Sequence, residues 1–146
     1  MSDAETTDFE ATMRAYAETA GWTLGDVSDR RAVFQFTMES GRQQTCFVLR
    51  YDATLEFSVP TIAAFDTDDE IPHPVSTILL KRSAESKIGF WCIEHVSEKM
   101  VYSVMHNHDS GHLTPELFRK IVVRLISEAD LFEGMLIKMF SSPEVN

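Results

Sequence analysis

Cysteine is scarce in this sequence, and its two cysteines are not placed as a pair. Cys46 and Cys92 lie far apart among 146 residues, each inside a strand-like run and outside any CxxC motif. A disulfide framework of the kind that holds small secreted domains together is therefore not expected. We interpret both residues as reduced, buried, small hydrophobic side chains, which is typical of a reducing compartment such as the cytoplasm.

Long hydrophobic runs are missing as well. No stretch approaches the roughly 20 apolar residues that a membrane-spanning helix needs. The opening segment, MSDAETTDFEATM, is polar and acidic and does not have the apolar centre of a secretory signal. We therefore expect a cytoplasmic protein with no membrane partner.

Basic residues are few and scattered. The chain has 13 Lys and Arg against 23 Asp and Glu, which gives a formal net charge of −10. An acidic chain repels phosphate backbones unless its basic residues cluster, and Arg30–Arg31 and Lys81–Arg82 are isolated pairs. Nucleic-acid binding is therefore not expected, and the charge suits solubility or a basic partner.

The motifs of common enzyme classes are also absent: there is no GxSxG, no phosphate-binding glycine loop and no dinucleotide fingerprint. Cys92 and His95 differ by an odd number of positions, so a regular strand would point them to opposite faces and separate a nucleophile from its base. Glu94 and Glu98 are interpreted as cross-strand or surface charges. We predict that the chain is not an enzyme and that it needs no cofactor.

The most informative segment that is present covers residues 87–106, KIGFWCIEHVSEKMVYSVMH. Aromatic and β-branched residues fill it on both sides of a polar turn, which predicts a β-hairpin. Phe90 and Cys92 should point to one face, Trp91 and Ile93 to the other, and neither set is polar. Because a sheet with one face in water alternates apolar and polar residues, we expect one face under helices and the other covered by something else, such as a second subunit.

The remaining segments predict helices at both ends of a β-meander. The predicted elements are a helix from the capping box at Thr7 to Gly21, strands over 22–27, 31–38, 43–51 and 54–59, a helix over 74–84, the hairpin, and a helix from Pro115. Residues 61–65 fit either more strand or a loop. Gly134 is expected to break the last helix before an apolar tail, Met135–Phe140.

Short intervals between the strands require antiparallel pairing. We therefore predict an α+β fold with the order α-βββ(β)-α-ββ-α, in which the helices pack on one face of an antiparallel sheet. Residues 1–146 should form a single domain, with residues 1–6 and 141–146 disordered.

The loop at the end of the hairpin is the best candidate for a metal site. His106, His108, Asp109 and His112 offer imidazole and carboxylate ligands that suit zinc or nickel, and residues 106 and 108 share a face if the strand continues. The loop has neither an HExxH motif nor a nearby cysteine. We therefore predict no metal site, and we keep a metal-dependent or histidine-assisted enzyme that uses His106–Asn107–His108–Asp109 as the alternative.

Five segments connect the chain to a known architecture: Gly41–Val48, Leu55–Ser58, the helix over 74–84, Ile88–Trp91 and Leu113–Phe118. With the order of elements, they resemble the type III secretion chaperone-like superfamily and its YbjN-type relatives. The resemblance implies a homodimer that uses the second helix and the strand after it at a two-fold interface. It also implies that the dimer binds an extended segment of a client protein.

The combined prediction is a non-enzymatic, homodimeric protein-binding domain, chaperone-like or an adaptor, that shelters an extended or apolar segment of a partner. The residues predicted at the dimer or partner interface are apolar and lie in the second helix, the hairpin and the tail: Val75, Ile78, Leu79, Phe90, Trp91, Ile93, Met135, Leu136, Met139 and Phe140. Which face of the hairpin forms the interface stays open.

Overall fold

The computed structural model describes the backbone of residues 2–141 and the side chains of residues 8–139. Six strands form one antiparallel sheet in the order β1-β2-β3-β4-β6-β5, and three α-helices pack on one of its faces, so the predicted α+β class is confirmed. The elements are α1 (Ser2–Ala20), β1 (Thr23–Val27), β2 (Arg31–Thr37), β3 (Gln43–Tyr51), β4 (Thr54–Phe65), α2 (His73–Glu85), β5 (Phe90–Val96), β6 (Lys99–Asp109) and α3 (Pro115–Ser141).

The core lies between the helices and the face of the sheet that they cover. On that covered face Phe34 pairs with Cys46, and Val48 pairs with Phe57. Phe118 of α3 packs on two of these strands, with ring centroids 5.5 Å from Phe34 and 5.7 Å from Phe57. Burial of each such large side chain contributes about 1.5–3 kcal/mol, which makes α3 the main cover of the sheet.

Helix α1 ends at Gly21, as predicted. Gly21 has a φ of +73°, and the N–H groups of Gly21 and Trp22 donate to the carbonyls of Glu18 at 3.2 Å and Ala17 at 2.9 Å. These two bonds form the Schellman arrangement, in which glycine accepts the left-handed conformation without steric cost.

The other end of α1 differs from the prediction. The helix begins at Ser2, ahead of the capping box predicted at Thr7, and so includes most of the 1–6 segment for which disorder was predicted. No glycine or proline interrupts the sequence there. Met1 and residues 142–146, where disorder was also predicted, lie outside the described residues.

Strand β4 continues through Pro60, although the sequence suggested an end there. Beyond Ser58 its partner is β6 alone, so proline's missing N–H costs less than it would between two strands. The register with β6 shifts between Pro60 and Ala64. Thr61 holds this bulge, because its Oγ1 donates to the Tyr102 carbonyl at 2.8 Å and accepts from the Ala63 N–H at 3.2 Å.

Helix α3 is continuous, and the prediction that Gly134 breaks it is wrong. Thr114 caps its start as predicted, since the Leu117 N–H donates to Thr114 Oγ1 at 3.1 Å. A Cβ placed on Gly134 would lie 3.0 Å from Nη2 of Arg42. The glycine therefore makes room for a guanidinium against the helix.

The predicted hairpin is formed by β5 and β6. Ser97 and Glu98 make its turn with φ values of +49° and +67°, as a two-residue type I′ turn requires. Trp91 faces the helices and is 5% exposed, whereas Phe90 lies on the opposite face and is 38% exposed. Within the described residues no helix lies over that second face, which we call the open face, so its cover by a second chain stays a prediction.

Candidate interaction surface

A groove between α2 and the C-terminal half of α3, the α2–α3 groove, brings together most of the predicted interface residues. These are Val75, Ile78, Leu79, Met135, Leu136 and Met139, joined by Arg82, Glu128, Leu131 and Phe132. Four large apolar side chains in it are about half exposed: Ile78 (55%), Leu131 (52%), Met135 (48%) and Met139 (61%). A contiguous apolar surface of this kind is typical of an interaction site.

Helical spacing creates the groove. Leu131, Met135 and Met139 follow one another at intervals of four residues, so they form one stripe along α3. Helix α2 buries only Leu79 fully, and Ile78 beside it projects towards the stripe. Neither helix therefore covers the apolar side chains of the other completely.

A polar triangle fixes α2 against α3 and β5. Arg82 donates to Glu128 through Nε at 2.7 Å and through Nη2 at 2.8 Å, a two-pronged arrangement stronger than a single neutral bond. The Trp91 Nε1–H donates to the same carboxylate at 2.9 Å. Hydrogen bonds from Arg82 above all, and from Trp91, hold the pKa of Glu128 below its ordinary 4.5 against the opposing effect of burial.

Trp91 is therefore a core residue of the chain itself. Its ring centroid lies 4.9 Å from that of Phe132, and its backbone N–H donates to Ser83 Oγ of α2 at 2.7 Å. Because β5 is the last strand of the sheet, this bond satisfies a backbone N–H on the edge of β5 that has no neighbouring strand. The predicted place of Trp91 at an interface would require a partner to reach a side chain that α2 and α3 already cover.

Two other predicted interface residues, Ile93 and Phe90, lie apart from the groove. Ile93 is exposed beside Leu80 at a second shallow depression, between α2 and the hairpin. Phe90 lies on the open face. The side chain of Phe140 lies outside the described residues.

Sequence reasoning missed two carboxylates of α3 that hold the sheet. Glu133 is buried and accepts hydrogen bonds from Gln44 Nε2 at 2.7 Å and from the Ile62 N–H at 2.9 Å. Asp130 accepts from Arg42 Nε at 3.1 Å. Two spacings in the sequence could have indicated this contact. Residues 130 and 133 share a helix face, and residues 42 and 44 point to the same side where the chain enters β3.

His106 and His108 of the histidine loop have the predicted orientation, but His106 has a structural role. His106 and His108 do lie on the same side, with ring centroids 6.2 Å apart. Nδ1 of His106 accepts the Gly89 N–H at 3.0 Å, and burial, followed by the nearby His108, lowers the pKa of His106. His106 therefore fastens the segment before β5 as a neutral ring.

The remaining groups of the loop do not converge on His106. His112 pairs instead with Asp109 at 3.2 Å, and both are exposed. Among the described residues, no three His, Cys, Asp or Glu side chains come together as a set that suits a metal ion. No contact in this part of the chain favours the alternative of a metal-dependent enzyme.

Neither cysteine has the properties of a nucleophile. Burial raises the pKa of the Cys46 thiol to about 12, and burial together with Glu94 and Glu56 raises that of Cys92 to about 12. The reactive thiolate is therefore scarce at neutral pH. Cys92 also lies on the open face, whereas His95 lies on the covered face, as the register with β6 requires.

Comparison with known proteins found no matching family model, curated protein or solved structure. The resemblance to the type III secretion chaperone-like superfamily stays a prediction that rests on the segments named above. None of the helices in the described part of the chain has the length and apolar character needed to cross a membrane.

Proposed function

We propose that this chain is a non-enzymatic, homodimeric protein-binding domain that shelters an extended or apolar segment of a partner protein, in the manner of a chaperone or adaptor. The α2–α3 groove carries the proposal, because it gathers half-exposed apolar side chains on two rigid helices. We place the domain in the cytoplasm, since Cys46 and Cys92 are both unpaired thiols.

The groove suits a two-fold contact between copies. In a two-fold interface each residue contributes twice, so one pair of grooves would bury two copies of each half-exposed side chain described above. Burial of a large apolar side chain contributes about 1.5–3 kcal/mol from full exposure, and these begin half exposed. The four side chains, two copies of each, therefore contribute about 6–12 kcal/mol. After the cost of association, which is at least about 4 kcal/mol, the net gain is at most about 8 kcal/mol, so we expect a weak dimer that dissociates at micromolar concentrations or above.

Sedimentation equilibrium of the full chain tests this proposal. We expect a dimer at tens of micromolar, and we expect Leu131→Asp to shift the chain to monomer while its melting temperature changes little. Ile62→Asp is the matched control, because Ile62 is also exposed but lies outside the groove. A wild-type chain that is monomeric throughout, or a control that dissociates as much as Leu131→Asp, would contradict the proposal.

A further inference from the structure

The open face of the sheet is apolar at its centre and carries two carboxylates. One row runs across five strands through Val33, Phe47, Ser58, Met105 and Phe90, each paired with the next. Glu56 of β4 and Glu94 of β5 pair with Asn107 and Val101 of β6. Because residues 101, 105 and 107 share one face of β6, both carboxylates lie on the same side as the apolar row.

Neither carboxylate forms an ion pair with a basic side chain within residues 8–139. The ion pairs observed there involve other acidic residues. Glu94 accepts only the Ser58 hydroxyl, at 2.7 Å. Arg31, two strands from Glu56 in the same row, lies over the Phe47 ring instead, 5.3 Å from its centroid. Burial and the charge of Glu94 raise the pKa of Glu56, in accord with an uncompensated negative potential.

A hydroxyl without a partner lies between the two carboxylates. Ser103 of β6 pairs with Cys92 on one side and Pro60 on the other, on the open face. It is fully buried, and its Oγ makes no hydrogen bond. The Ser58–Glu94 hydrogen bond crosses β6 at this position, so Ser103 lies beneath it. A buried polar group that is left unpaired costs free energy, and a ligand that pairs it recovers that cost.

We propose that the open face binds a segment of a partner protein through a lysine side chain flanked by apolar residues. A lysine ammonium has three N–H donors. Glu56 and Glu94 offer carboxylate acceptors on β4 and β5, and the Ser103 hydroxyl of β6 between them becomes a third acceptor when the ammonium replaces the Ser58 hydroxyl on Glu94. Phe90, which is 38% exposed, is the main apolar contact for the flanking side chains of the segment, because Val33 and Met105 of the same row are already buried by their neighbours. This inference rests on the proposed function only in taking the partner to be a polypeptide, and it assigns that partner to a different surface from the α2–α3 groove.

Fluorescence anisotropy with labelled heptapeptides of the sequence Ser-Val-Phe-X-Val-Leu-Ser tests the proposal, where X is lysine, norleucine or glutamate. We expect the lysine peptide to bind the full chain about tenfold more tightly than the norleucine peptide, with the preference shrinking as salt is added. The glutamate peptide should bind most weakly of the three. Equal affinity for the lysine and norleucine peptides, or no binding of either, would overturn the proposal.

Two variants locate the site. The double substitution E56Q/E94Q should abolish the lysine preference, whereas E39Q/E116Q, with the same change in net charge on other parts of the chain, should keep it. Ser103→Ala removes only the unpaired hydroxyl, so the free protein should stay folded while the lysine peptide binds several-fold more weakly. A lysine preference that survives E56Q/E94Q would overturn the assignment.

The same titration in the Leu131→Asp background separates this inference from the proposed function. A lysine preference that persists in the monomer supports a site on the open face of each chain. If the preference disappears together with the dimer, the peptide binds at the groove or across the two copies, and the inference fails. A wild-type chain that is monomeric yet prefers lysine would remove the dimer and leave the open-face site standing.

Discussion

Gly89, which leads into β5, offers the sharpest test of how the hairpin is held. Its φ is +90°, and a Cβ placed on it would lie 2.7 Å from Cδ2 of Leu125 in the fully buried centre of α3. A side chain in that region of φ costs roughly 1–2 kcal/mol, and overpacking of a closed core costs about 1–3 kcal/mol more. We expect Gly89→Ala to lower the free energy of unfolding by roughly 2–5 kcal/mol, the sum of these two costs.

Gly41→Ala is the matched control. Gly41 has almost the same φ, +92°, but a Cβ there meets nothing within 4 Å. Gly41→Ala should therefore lower the free energy of unfolding only by the cost of the positive φ, about 1–2 kcal/mol. In urea unfolding, where small proteins lose about 1–3 kcal/mol per molar denaturant, the two variants should differ clearly in midpoint at an unchanged slope.

A double-mutant cycle with Leu125→Ala isolates the contribution of the steric clash to the loss of stability in Gly89→Ala. Leu125→Ala alone should cost about 2–5 kcal/mol through the cavity it creates, but it also removes the atom that the methyl group introduced by Gly89→Ala would strike. Gly89→Ala should therefore cost about 1–3 kcal/mol less in the Leu125→Ala background than in the wild type. Additive costs, or equal losses in Gly89→Ala and Gly41→Ala, would refute the account of β5 packed against α3.

Two further predictions concern Trp91 and His106. Trp91→Phe keeps an aromatic ring against Phe132 but removes the bond to Glu128, so thermal unfolding should show a loss of about 1–3 kcal/mol, and Trp91→Ala should lose about 3–5 kcal/mol; equal losses in both would argue against the hydrogen bond. The pKa of His106 is lowered in the folded chain, so the unfolded chain takes up a proton first as pH falls below about 6.5, and stability should decline from there until the folded ring is protonated as well. Urea midpoints from pH 8 to 5 should show this decline weakened in His106→Gln but kept in His112→Gln, and an unchanged profile in His106→Gln would contradict it.

Local patterns predicted most of the elements. Alternation of side chains predicted β3 with its observed bounds, and the caps at Gly21 and Thr114 acted as the glycine's φ preference and the threonine's hydroxyl require. The errors came where a distant element changes the local preference. Gly134 stays helical with Arg42, far away in sequence, lying against it. Pro60 stays in a strand because the pairing of β4 with β3 has already ended at Ser58.

The sequence predicted which apolar residues contribute to the candidate surface, but not how these residues lie relative to one another. Apolar residues of α2 and of the tail stood out in the sequence, yet nothing local indicated that Ile78 and Leu131 would line one groove. The triangle of Arg82, Glu128 and Trp91 joins residues 37 and 46 positions apart. Such contacts depend on how three elements pack, and periodicity within one element carries no information about them.

The bond between Ser83 and the Trp91 N–H also limits how copies of this chain can assemble. A sheet with two bare borders can add neighbours on both sides and grow into a fibre. Here the Trp91 N–H at the outer edge of β5 is already bonded to α2, so a strand added along this edge would compete with that bond. The opposite border is β1, five residues long with an irregular register between Leu24 and Val27. Polymerisation by strand addition is therefore hindered on one side and discouraged on the other, which lets a chain with an exposed apolar groove associate without forming filaments.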